Sequence, residues 1–140
     1  MKKTGSAVWS GGIKDGTGFI STQSGALDNV AYGFNTRFED GPGSNPEELI
    51  GAAHAACFTM ALSGQLGEAG LRATALKTTA EVSLEKIDGS YAITAVHLTL
   101  LATIPGATEE AFQDAALRAK LGCPVSKLLA TEITLDAHLE

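Results

Sequence analysis

Two side chains in this 140-residue sequence, Cys57 and Cys123, can be oxidised reversibly and can attack an electrophilic oxygen. They stand 66 positions apart, so there is neither a local CxxC motif nor a zinc-finger spacing, and any pairing must come from the fold. Cys57 lies among Ala53, Ala56, Phe58 and Ala61, company in which a free cysteine is most often an inert small hydrophobe. Cys123 directly precedes Pro124, where a helix start would aim backbone N–H groups and the positive end of a dipole at its sulfur. Chemistry on a peroxide needs a thiolate to attack one oxygen and a cation to lower the thiol pKa and steady the leaving oxygen. It also needs a second thiol to condense with the sulfenic acid. Arg37 is the only arginine before the long apolar stretch, the others being Arg72 and Arg118, and a guanidinium stays charged when partly desolvated. Glu47 or Glu48 is placed to hold it, while Glu39 offers an ordinary surface pairing and first-turn acids are common for dipole reasons alone.

Other chemistries find less support. His54 precedes Cys57 by three residues, and one His with one Cys is an incomplete zinc site. His97 and His138 fall in expected strands without a nucleophile nearby in sequence. The glycines at Gly11-Gly12 and Gly16-Thr17-Gly18 complete neither a dinucleotide fingerprint nor a P-loop. A formal net charge of −6 argues against a nucleic-acid partner. No stretch is expected to approach 18 uncharged apolar residues, the length that crosses a membrane, and Met1-Lys2-Lys3 leads into Thr4, Gly5 and Ser6 instead of the apolar region of a signal peptide. These features predict a cytoplasmic chain.

The elements that must position the cysteines follow from patterning. The first 40 residues read as a short-stranded meander, with Phe34 to Glu39 alternating as a strand that turns Arg37 away from Phe34 and Phe38. After Gly41-Pro42-Gly43, the segment Ser44-Asn45-Pro46-Glu47-Glu48 opens a helix that runs toward Gly70. Its Ala-rich, uncharged middle predicts a central helix buried on most sides. Leu76 to Leu84 and Ala92 to Leu100 alternate around Asp88-Gly89 as a hairpin. A helix from Thr108 to Gly122, a short one after Pro124 and a strand through Ile133, Leu135, Ala137 and Leu139 complete an α+β chain, with no repeat or linker to divide residues 1–140.

Three segments resemble the OsmC/Ohr family of thiol peroxidases, and within it the OsmC branch: Tyr32 to Phe38, Asn45 to Phe58 and Gly122 to Ser126. The resemblance covers the whole chain. It implies antiparallel sheets around a long central helix in an intertwined homodimer with two sites at its interface, and no metal, haem or flavin. It implies Cys57 as the peroxidatic cysteine, Cys123 as the resolving cysteine, Arg37 as the activating guanidinium and Glu47 as its orienting carboxylate. The Ohr branch takes its arginine from nearer the N-terminus, where this chain has Lys14 and no arginine. The implied substrates are organic hydroperoxides, hydrogen peroxide less well, with an outside dithiol of lipoyl or small-molecule type as reductant. Glu47 and Cys57 stand ten residues apart on one expected helix, a rise of about 15 Å. Hence either Glu47 serves the Cys57 of a partner chain or the helix breaks between them. Apolar Phe34 and Phe58 would favour alkyl hydroperoxides. A redox sensor built on the same cysteine pair, and a ligand-binding dimer with structural cysteines, are the alternative readings.

Overall fold

The computed structural model describes all 140 residues, as two compact units, Met1–Leu49 and Ile50–Glu140. In the first, β1 (Gly5–Ser10), β2 (Thr17–Thr22) and β3 (Val30–Tyr32) form the expected meander, an antiparallel sheet in the order β1-β2-β3. Gly18 is required on β2 because any side chain there would run into the rings of Trp9 and Tyr32, which pack at 5.5 Å and 53°.

Phe34 to Phe38 is not a strand but a short helix, α1 (Phe34–Phe38). Thr36 sets it: its hydroxyl accepts the Gly33 N–H at 3.0 Å and donates to the Gly33 carbonyl at 3.1 Å. The alternation misleads because residues four apart share a side in a helix as well as in a strand, and the Phe34 and Phe38 rings do meet, at 4.9 Å. Arg37 therefore does not face away from the phenylalanines; its guanidinium lies 5.4 Å from the Phe38 ring centroid.

The long helix α2 (Pro46–Glu68) is capped by Asn45, whose side chain accepts the Glu48 N–H at 2.8 Å. It runs unbroken, so the expected alternative of a break between Glu47 and Cys57 is not realised. Gly70, at φ +71°, ends it, with the Leu71 N–H reaching back to the Leu66 carbonyl at 2.8 Å. Contrary to the sequence expectation, α2 is long and apolar enough to cross a membrane by length and composition. It serves instead as a core helix of the second unit, and only along one stripe: Gly51, His54, Phe58, Leu62 and Leu66 are buried, whereas Ala52, Ala53, Ala56 and Met60 are exposed. The single chain thus does not bury this helix on most sides, because nothing in its own unit covers the opposite face.

That buried stripe lies on the hairpin β4 (Ala75–Ile87) and β5 (Ser90–Thr103). A Cβ on Gly51 would stand 3.1 Å from the Ala80 carbonyl oxygen, and Thr59 donates its hydroxyl to Thr78 at 2.7 Å. The hairpin turns at Asp88 and Gly89, both at positive φ (48° and 85°), as a two-residue turn matching the strand twist requires. From β5 the chain crosses through α3 (Glu109–Gly122) and α4 (Pro124–Leu128) to β6 (Glu132–Leu139). β6 pairs parallel to β5, so this sheet is mixed and not antiparallel throughout: the intervening helices carry the chain back to its starting end. β5 is the middle strand, and its Val96, Leu98, Leu100 and Ala102 meet Phe58, Leu62 and Leu66 of α2 and Phe112, Ala115, Ala116 and Ala119 of α3 in one core. Leu98→Ala, at a fully buried central position, is expected to cost roughly 2–5 kcal/mol in a denaturant titration, against less than about 0.5 kcal/mol for Leu128→Ala on the surface.

Candidate active site

In the first unit, the last turn of α1 and the first turn of α2 bring Arg37 and Glu47 together. The Arg37 Nη2 donates to Glu47 Oε1 at 2.6 Å, and its Nε shares both carboxylate oxygens at 3.1 and 3.2 Å. Of the three carboxylates weighed from sequence, this is the one that holds the arginine. The Glu47 side chain is only 12% exposed, so the pair is partly desolvated and the guanidinium is fixed in direction. Beside it Trp9, Tyr32, Phe34, Phe38 and Pro46 line a small apolar cleft.

In the second unit, Cys57 of α2 and Cys123, between α3 and α4, are free thiols near enough for each to shift the ionisation of the other. The fold thus supplies the contact that 66 intervening positions leave open. α3 places Cys123: Thr108 caps its start by accepting the Ala111 N–H at 3.2 Å, and the Cys123 N–H closes its end on Ala119 O at 2.9 Å. Pro124 then begins α4 at once. Cys123 is fully buried, while Cys57 is half-buried.

The two sulfurs differ electrostatically. Burial pushes the Cys57 thiol up, the hydrogen bond with Cys123 and the charge there add to this, and a backbone contact with Val125 only partly offsets it. Burial also opposes ionisation of Cys123, but it is outweighed by hydrogen bonds from Cys57, from the N–H and hydroxyl of Ser126 and from the N–H of Val125, which draw its pKa down. Cys123 is the N-cap residue of α4 and makes no side-chain cap hydrogen bond there.

Behind this pair lies a residue that the sequence reading set aside. His54 is completely buried, its Nε2 lies 2.8 Å from Ser126 Oγ and its Nδ1 has no partner. Burial lowers its pKa. Ser126, three residues past Cys123, has as its one sequence signal a place in the first turn of a helix begun by Cys123-Pro124. Phe58, expected near a substrate, is fully buried in the core and cannot line an open cleft, whereas Phe34 does. No three His, Cys, Asp or Glu side chains gather as a metal site.

The sequence model of the OsmC-like protein family matches residues 39–138. The chain is 55% identical over 140 residues to Peroxiredoxin OsmC of Escherichia coli (strain K12), covering 100% of this chain and 98% of that protein. It is 33% identical over 125 residues to the organic hydroperoxide resistance protein OhrB of Bacillus subtilis (strain 168), 88% of each. Among solved structures, B. subtilis OhrB superposes with a TM-score of 0.69 at 27% identity, covering 98% of both chains. An organic hydroperoxide resistance protein from Elizabethkingia anophelis does so with 0.69 at 27%, covering 100% of this chain and 97% of that one.

The pKa of His54 carries a consequence for stability. Below its ordinary value of 6.5 the unfolded chain takes up a proton at this residue that the folded chain resists. Folding stability is therefore lost as pH falls from 6.5 toward the lower folded value, and is unaffected by this group above 6.5. Urea titrations on either side of that pH are expected to show a shallower acid-side loss for His54→Gln than for the native chain; equal slopes would mean that His54 titrates normally.

Proposed function

The chain belongs to the OsmC-like family and is a peroxide-reducing oxidoreductase of the peroxiredoxin kind, and from this premise we propose that Cys57 is its peroxidatic and Cys123 its resolving cysteine. The contact between the two thiols is the observation that carries this reading. The Cys57 thiolate attacks the terminal oxygen of an organic hydroperoxide; the O–O bond breaks, an alcohol leaves and Cys57 becomes a sulfenic acid. Cys123 attacks that sulfur, the S–O bond breaks, and a Cys57 to Cys123 disulfide and water result. An outside dithiol, small or lipoyl-type, reduces the disulfide and is itself oxidised. The cycle uses thiols alone and suits a cytoplasmic enzyme of oxidative-stress defence, in which reduction is continuous.

Cys57 needs a cation, since its neighbours in the second unit hold its proton on. Arg37, oriented by Glu47, is the group proposed to supply it, acting on the Cys57 of a second copy. Two observations support a homodimer. Glu47 and Cys57 lie ten residues apart on an unbroken helix, and the face of α2 bearing Ala52, Ala53, Ala56 and Met60 is uncovered in the single chain. The aromatic cleft beside Arg37 favours an alkyl or fatty hydroperoxide over hydrogen peroxide.

One equivalent of an organic hydroperoxide is expected to consume both thiols with a mass loss of about 2 Da in the native chain. Cys57→Ser should abolish the reaction, and Cys123→Ser should stop at a sulfenic or over-oxidised Cys57. Two unreactive thiols in the native chain would reject the peroxidase roles and favour structural cysteines. For the shared site, co-refolding inactive Arg37→Ala with inactive Cys57→Ser should restore about a quarter of native turnover, because half the dimers are mixed and each carries one intact site. No recovery in mixed dimers would show that each chain serves its own Cys57.

A further inference from the structure

His54 is a buried titratable group that the cycle above leaves idle, and its surroundings are unusual for a packing residue. Its ring is completely buried, one nitrogen has no partner, and the other lies 2.8 Å from Ser126 Oγ. An unpartnered buried nitrogen is costly, so a histidine that merely filled space would be better replaced by an apolar side chain. Ser126 stands in the first turn of α4, the turn that the Lys127 N–H closes on the Cys123 carbonyl at 3.0 Å, and it draws the Cys123 thiol's pKa down, while Cys123 and Cys57 each shift the other's ionisation. His54, Ser126, Cys123 and Cys57 therefore stand as neighbours in that order within the second unit, drawn from α2 and α4 and the junction before it.

We propose that Ser126 and His54 together are the base that ionises Cys123 for its attack on oxidised Cys57, with Ser126 touching the reacting sulfur and His54 positioned behind it as the proton acceptor. The inference rests on Cys123 being the resolving thiol. The Cys123 thiol passes its proton to Ser126 Oγ as the serine passes its own to His54 Nε2. The sulfur's electron pair then forms the S–S bond with Cys57, the S–O bond of the sulfenic acid breaks, and hydroxide departs. The hydroxide takes up one proton and His54 releases one, so one sulfenic acid and one thiol yield one disulfide and one water. A serine hydroxyl can reverse its direction in place, which lets it carry the proton without moving heavy atoms. Burial keeps the imidazole neutral between turnovers and so available as an acceptor. Ser126 also borders a cleft with Lys120, Lys127 and Thr131, which gives the released proton a route to water.

The test has two parts. In the Cys57→Ser background, ultraviolet thiolate absorbance at neutral pH reports Cys123 alone; Ser126→Ala should diminish it, and Ser126→Thr should preserve it. In chains with both cysteines, rapid mixing with a hydroperoxide separates sulfenic acid formation from disulfide formation. Ser126→Ala and His54→Gln should slow the second step on the order of tenfold or more and leave the first nearly unchanged, with Ser126→Thr restoring it. Unchanged thiolate absorbance in Ser126→Ala would overturn the proposal, as would an equal slowing of both steps that threonine does not rescue. If the native chain forms no disulfide with peroxide, the resolving role of Cys123 fails and the proposal with it, and the absorbance comparison reports separately whether Ser126 stabilises the Cys123 thiolate.

Discussion

The close approach of α2 to the β4–β5 hairpin governs the second unit. Gly51 gives the helix room at the Ala80 carbonyl, Thr59 ties it to Thr78, and Phe58, Leu62 and Leu66 continue the contact along one stripe into the core. A helix fixed in rotation by that stripe has no freedom over where its remaining side chains point. His54 falls on the stripe and is buried beneath it; Cys57, one position before Phe58, falls at its edge and stays half-buried. From the other side, the crossover through α3 must end where β6 can join β5, and this brings Cys123 to the same spot. The thiol contact is thus a by-product of packing two helices on a mixed sheet, with no local motif involved.

Local chemistry and long-range geometry were unequally legible in the sequence. The hairpin was readable because Asp88-Gly89 and the alternation on both sides act over a few residues, and the start of α2 because Asn45, Pro46 and two acids leave little choice. The α1 segment was not, since Phe34 and Phe38 satisfy either period and the decision rests on the Thr36 side chain bonding back to Gly33. Nor was the direction of β6, which is set by the crossover and not by its own residues. The four residues singled out do meet in pairs, Arg37 with Glu47 and Cys57 with Cys123. Ser126 and His54 escaped because their relation spans 72 positions, and neither carries a pattern of its own.

Charge is distributed so that the second unit makes its buried thiol the more acidic one. Cys123 receives donors from α4 and from Cys57, while Cys57 is left with burial and the field of its neighbour. On the proposed roles, the resolving sulfur is prepared by its own unit, whereas the attacking sulfur depends on a cation brought to it. Assembly and reactivity are then linked: a chain without its guanidinium partner holds Cys57 protonated and comparatively inert.

The 66 positions between the cysteines also connect redox state to mechanical persistence. A bridge between Cys57 and Cys123 would enclose the α2 C-terminal half, the whole hairpin and α3 in one covalent loop. Closing a loop of that length removes enough freedom from the unfolded chain to favour the folded state by about 4 kcal/mol. The oxidised form would be the harder one to unfold, so an oxidant burst, which endangers most proteins, would leave this one tougher until its reductant arrives.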